Sequence, residues 1–134
     1  MTDRNPQGSA IAERVAAAIG ERDGLTVEWR ERDPDPTADG TLAFAVERPR
    51  EGVDGDGNGD DPLAEAYVQP NRIRLEFAAV PDVAAEVATD AGLRVRPKAV
   101  RPPRTLAFVE DADEASSAAD VVAAVAESLA DEDR

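Results

Sequence analysis

Apolar and polar positions alternate with period two in several short stretches of this chain. In three longer ones they recur at helical spacing. From Ser9 to Arg22 the apolar residues Ile11, Val15, Ala18 and Ile19 share a helix face, with Ser9 placed to cap it and Gly24 to end it. Leu25 to Arg30 alternates, and so does Thr41 to Arg48, with Leu42, Phe44 and Val46 on one side. The Pro-, Asp- and Gly-rich stretch Asp33 to Gly40 between them reads as the turn of a hairpin. Leu63 to Val68 fits either one helical turn or the start of a strand. Asn71 to Ala79 is a strand by its pattern, with Ile73, Leu75 and Phe77 inward and Arg72, Arg74 and Glu76 outward. Pro81 suits a first helical turn, Val83 and Val87 share a face, and Gly92 ends that helix. Leu93 to Lys98 and Thr105 to Glu110 alternate again. A last helix runs from Asp113 or Ser117 to Ala130, with Val121, Val125 and Leu129 as its stripe and Ser117 with Asp120 as a capping box.

The order read in this way is α-β-β-β-α-β-β-α. One mostly antiparallel sheet of about five strands, with helices packed on one face, is the economical α+β architecture. The expected organisation is a flexible stretch at 1–8, a single domain at 9–130 with an acidic Gly-rich loop at 49–62, and a flexible end at 131–134. This element order resembles YbjN-type domains and the related type III secretion chaperone-like fold, over roughly residues 9–130. The resemblance lies in element order and carries over no functional residue. It implies a small α+β module, often dimeric, that binds other proteins and catalyses nothing.

Charge sharpens the picture. The 134 residues carry 29 acids against 15 bases, a net charge of -14. Lys98 is the sole lysine, and Ala and Val replace bulkier apolar residues. Acid excess with lysine nearly absent is the composition of a protein adapted to a salt-rich cytosol. Self-repulsion opposes the compact state unless counterions screen it, and the Debye length falls to about 3 Å at molar salt. The polar start at Met1 to Gly8 and the lack of a long apolar run make the cytoplasm the expected location.

The charge is also segregated. Residues 66–109 hold 4 acids and 7 bases, whereas the flanking segments are strongly acidic. On extended strands Arg72, Arg74, Arg94, Arg96 and Lys98 project from one face, and Arg101 and Arg104 follow in the same acid-free stretch. Cross-strand pairing with Glu28, Glu47 and Glu76 is the simpler account of these bases. The functional account is a surface for an acidic partner protein or a second copy of the chain. Nucleic acid is the alternative ligand for Arg94 to Arg104, but counterion release loses its force at molar salt. Trp29 and the phenylalanines are also expected on the apolar side, out of reach of bases. Ala43, Ala45 and Ala107 are expected outward, where small side chains permit close approach.

Catalysis finds little support in the residues. The chain has no His and no Cys, which removes imidazole bases, thiolates and the usual zinc ligands. Ser9, Ser116, Ser117 and Ser128 have no base to activate them, and the Gly-rich loop is acidic and would repel phosphate. No cofactor is expected. Asp54, Asp56, Asn58 and Glu65 satisfy the spacing of an EF-hand calcium loop. The context argues against calcium: strand-like sequence precedes the loop, and Asp61-Pro62 replaces its apolar anchor. The expectation is a non-enzymatic adaptor or chaperone-like module that binds protein.

Overall fold

The computed structural model describes residues 7–22, 24–32, 35–47, 63–78, 80–100 and 103–132. The elements are α1 (Gln7–Gly20), β1 (Thr26–Trp29), β2 (Thr41–Glu47), β3 (Ala64–Gln69), β4 (Arg72–Phe77), α2 (Pro81–Asp90), β5 (Arg94–Lys98), β6 (Arg104–Val109) and α3 (Ala115–Glu132). The fold is thus α+β, and the described residues form a single antiparallel sheet of six strands in the order β1-β2-β3-β4-β6-β5. The sixth strand is β3, the segment whose pattern left helix and strand open.

Consecutive strands β1 to β4 pair as a meander, and β5 pairs with β6 as a hairpin. Between the two groups, β4 leads through α2 to β5, and β6 inserts between them. This is a split βαβ arrangement. Its consequence is that β6 is central and β5 is an edge. Pro81 opens α2 in its first turn. Gly92, at φ +91, closes it: Gly92 N–H donates to Thr89 O and Leu93 N–H to Ala88 O, both at 3.0 Å. That is a Schellman closure, which requires the left-handed conformation glycine adopts without strain.

One apolar cluster joins all three helices to one face of the sheet. Ile73, Leu75 and Phe77 of β4 form its centre, beside Ala64, Ala66 and Val68 of β3 and Ala107 and Val109 of β6. Ile11, Val15 and Ile19 of α1, Ala84 and Ala88 of α2, and Val121, Val122 and Val125 of α3 cover them. α1 lies over β3 and β4, α2 over β5 and β6, and α3 packs against both helices. Gly8 sets the approach of α1, since a Cβ there would lie 1.8 Å from the Gln69 carbonyl oxygen.

Four local expectations need correction. Ser9 lies inside α1 and caps nothing, because the helix starts at Gln7. Ser117 and Asp120 likewise fall within α3. The approach to α3 is a 3-10 turn at Ala112–Glu114, where the Asp111 carboxylate accepts from the Asp113 N–H and Glu114 from the Glu110 N–H. Leu42 does not share the face of Phe44 and Val46: an irregularity at Ala43 shifts the register, so Leu42 opposes Tyr67 and Ala43 joins the core. In β6 the inward set is Thr105, Ala107 and Val109, not Leu106 and Phe108. The sheet there lies directly under α2, and Ala107 leaves room for its Ala84 and Ala88.

Candidate functional site

No described helix packs on the opposite face of the sheet. Cross-strand partners share a face, and the registers therefore gather one set of side chains there. Glu65, Tyr67 and Gln69 come from β3, and Arg72, Arg74 and Glu76 from β4. Arg104, Leu106 and Phe108 come from β6, and Arg94, Arg96 and Lys98 from β5. The bases expected to share a face do share it, on extended backbone and away from the helices. Arg101 lies outside the described residues, as do Asp54, Asp56 and Asn58.

Glu76 is the hub of this face, with a side chain only 1 % exposed. Arg74 donates to it from Nε at 2.9 Å, Arg104 from a terminal nitrogen at 3.0 Å, and Lys98 from Nζ at 3.2 Å and 3.3 Å to its two oxygens. Arg104 also reaches Glu65 at 3.3 Å, and the Tyr67 hydroxyl donates to Glu65 at 3.2 Å. Strand order builds the cluster: β6 beside β4 brings Arg104 next to Glu76, and Lys98 arrives because it opposes Arg104 on β5. Burial alone would raise the Glu76 carboxyl. Hydrogen bonds from Lys98 and Arg104, with the charges of Lys98 and Arg74, outweigh burial and hold it below the usual carboxylate range. Burial, reinforced by the charges of Glu65 and Glu76, pushes the Tyr67 phenol up. Burial would lower Arg104, but its bonds to Glu76 and Glu65 leave its guanidinium more firmly protonated than usual.

The remaining bases divide by how firmly they are held. The segment before β2 crosses this face, where the Asp39 carbonyl accepts from Arg74 at 2.9 Å and the Ala38 carbonyl accepts from Gln69 at 2.7 Å. Arg74 also lies over the Tyr67 ring at 4.6 Å. Arg72 donates to Gln69 at 2.9 Å and stacks on Phe108 at 4.1 Å. Arg94 reaches Glu110 at 3.5 Å and stays 69 % exposed. Arg96 is exposed and, among the described residues, makes no ion pair.

The expected pairing with acids is therefore correct for Glu76 alone. Glu28 and Glu47 pair instead with Arg30, at 3.1 Å and 3.8 Å, at the far end of the sheet. Phe108 faces outward, contrary to expectation, but Arg72 covers it. Ala107 lies in the core instead of on this face, and Ala45, although it lies on this face opposite Glu65, is fully buried and offers no exposed surface. Sequence reasoning missed Glu65 and Tyr67 as members of the site, because both lie on the strand it left undecided.

Among the described residues no group of three or more acids is placed to hold a metal ion, and no helix is long and apolar enough to cross a membrane. Glu65, the last residue of the calcium-loop pattern, is engaged by Arg104 and Tyr67. The fold and this face define a small sheet-and-helix module whose second sheet face, free of described helices, is organised around one buried carboxylate and its cations. The chain belongs to a family of unknown function, DUF7993, which it matches over residues 1–134. No curated protein and no solved structure matches it.

Proposed function

We propose that the chain is a non-enzymatic protein-binding module of a salt-rich cytosol, and that it engages an acidic partner through the β5 end of its open sheet face. One observation carries the reading. Arg74, Arg104, Lys98 and Arg72 are committed to Glu76, Glu65, Gln69 and the two rings, whereas Arg94 and Arg96 stand exposed on an edge strand. Arg96 makes no ion pair among the described residues, and Arg94 keeps only a long 3.5 Å contact to Glu110 while 69 % exposed, so both are placed to grip a partner's carboxylate in a two-pronged contact, and such short-range geometry survives screening. Nucleic acid is the weaker ligand for the same residues. Phe108 is only 5 % exposed beneath Arg72, and Arg74 lies over Tyr67, so neither ring is open for stacking.

The test is charge reversal at both positions. Arg94→Glu with Arg96→Glu should leave thermal unfolding nearly unchanged, since neither side chain supports the core. It should abolish capture of the partner from a lysate kept at molar KCl, with the captured protein identified by mass spectrometry. Capture that continues unchanged with the double variant removes the proposal.

A further inference from the structure

The geometry points to the chemistry of that partner: an extended acidic segment carrying carboxylates two residues apart, with an apolar residue beside them. The inference rests on the protein-binding reading above and deepens it. Arg94 and Arg96 sit at alternate positions of β5, about 7 Å apart along an extended backbone. An extended ligand with acids at every second residue has the same period, so two successive carboxylates meet two successive guanidiniums. Adjacent acids on such a ligand point to opposite sides, and only one of each pair could be gripped.

Two further features define the ligand. Val100, just past β5, is 41 % exposed, the one large apolar side chain so exposed among the described residues. Leu106 lies half-buried directly across from Arg96 on the same face. An apolar ligand residue next to the acids would find contact there. Charge complementarity favours a separate acidic chain over a second copy docked face to face. Two-fold packing about an axis through the β5 end of this face would set Arg94 and Arg96 against their own counterparts. The edge itself is guarded: Pro97 lacks an N–H and interrupts any ladder that a ligand backbone could build on β5. Recognition therefore falls to the side chains.

The experiment uses the full chain at molar KCl and fluorescein-labelled octapeptides. One alternates glutamate and serine; a second has the same composition with its glutamates in adjacent pairs; a single-stranded oligonucleotide of similar charge is the third probe. The alternating peptide should bind about tenfold tighter than the paired one, the equivalent of one lost charge-assisted contact. The Arg94→Glu, Arg96→Glu variant should lose that binding while unfolding at the wild-type temperature. A leucine added to the alternating peptide should tighten binding in the wild type but not in Val100→Ser. Equal binding of the two peptides would overturn the spacing, and preference for the oligonucleotide would overturn the acidic peptide. In both cases partner capture sensitive to the arginines would leave the protein-binding reading standing. Loss of that sensitivity would remove both.

Discussion

Replacing Glu76 by glutamine tests the organisation of the open face most directly. The substitution keeps shape and volume but removes the charge that three cations share. Arg74, Lys98 and Arg104 all donate to the carboxylate at 2.9–3.3 Å, and its side chain is 1 % exposed. A glutamine offers one accepting oxygen and turns an NH2 group toward donors, so at least one cation loses its partner. Removing one member of a buried ion pair costs about 3–5 kcal/mol. Lys98 and Arg104 are partly exposed and can swing toward water, which places the expected loss at the lower end, about 3 kcal/mol. For a chain of this size that lowers the melting temperature by about 10 °C. Circular dichroism melts in molar KCl measure it, and salt should not erase the difference, because buried contacts are screened far less than exposed ones.

The pH dependence supplies an internal control for the same variant. Glu76 is held below its ordinary value in the folded protein. Its contribution is therefore complete above the unfolded value of about 4.3 and is lost as pH falls through the lower folded value. The gap between wild type and Glu76→Gln should be full at neutral pH and should narrow steadily below about pH 4. A variant that melts with the wild type at neutral pH would refute the reasoning. It would mean that the desolvation cost of the cluster cancels its Coulombic gain.

Three further outcomes follow from other parts of the molecule. The melting temperature of the wild type should rise between dilute buffer and molar KCl, since the net charge of -14 repels itself until screened; a flat response would count against salt adaptation. Gly8→Ala should cost about 2 kcal/mol in denaturant titrations, because the new Cβ would meet the Gln69 carbonyl oxygen at 1.8 Å and push α1 off the β3–β4 turn. Thr105→Val should cost about 1 kcal/mol, because the buried Thr105 hydroxyl donates to the Pro81 carbonyl at 2.7 Å and that bond is lost, while the oxygen keeps its place in the first turn of α2; a melt indistinguishable from wild type would show that the bond adds nothing.

Alternation made most of the sheet legible, and its failures have physical causes. In β4 large apolar residues alternate with charges, and only one face can be inward. In β6 both sets are apolar: Leu106 and Phe108 on one side, Ala107 and Val109 on the other. Size suggested the larger pair for the core. The core here is thin, however, because α2 presents Ala84 and Ala88 to the sheet, and a phenylalanine beneath it would force the helix away. Phe108 stays dry on the other side under the Arg72 guanidinium, a cover that no pattern of apolar residues announces. β3 was unreadable for a related reason. Its inward residues begin with Ala64 and Ala66, and alanine favours a helix as readily as it tolerates a strand.

The site depended on information that alternation does not carry. Spacing along each strand placed the bases on one face, but which of them remain available is decided by strand order. Were β5 to lie beside β4, Lys98 would still have a route to Glu76, but Arg104 would sit on an edge with no acid across from it. Insertion of β6 between them gives Glu76 a cation from its own strand, one from its neighbour and one from the strand beyond. That insertion absorbs Arg104 and Lys98 and moves Arg94 and Arg96 to the rim. Part of the charge of the acid-poor segment thus neutralises a buried carboxylate, while Arg94 and Arg96 stay exposed on the β5 edge, the position on which the proposed binding role rests.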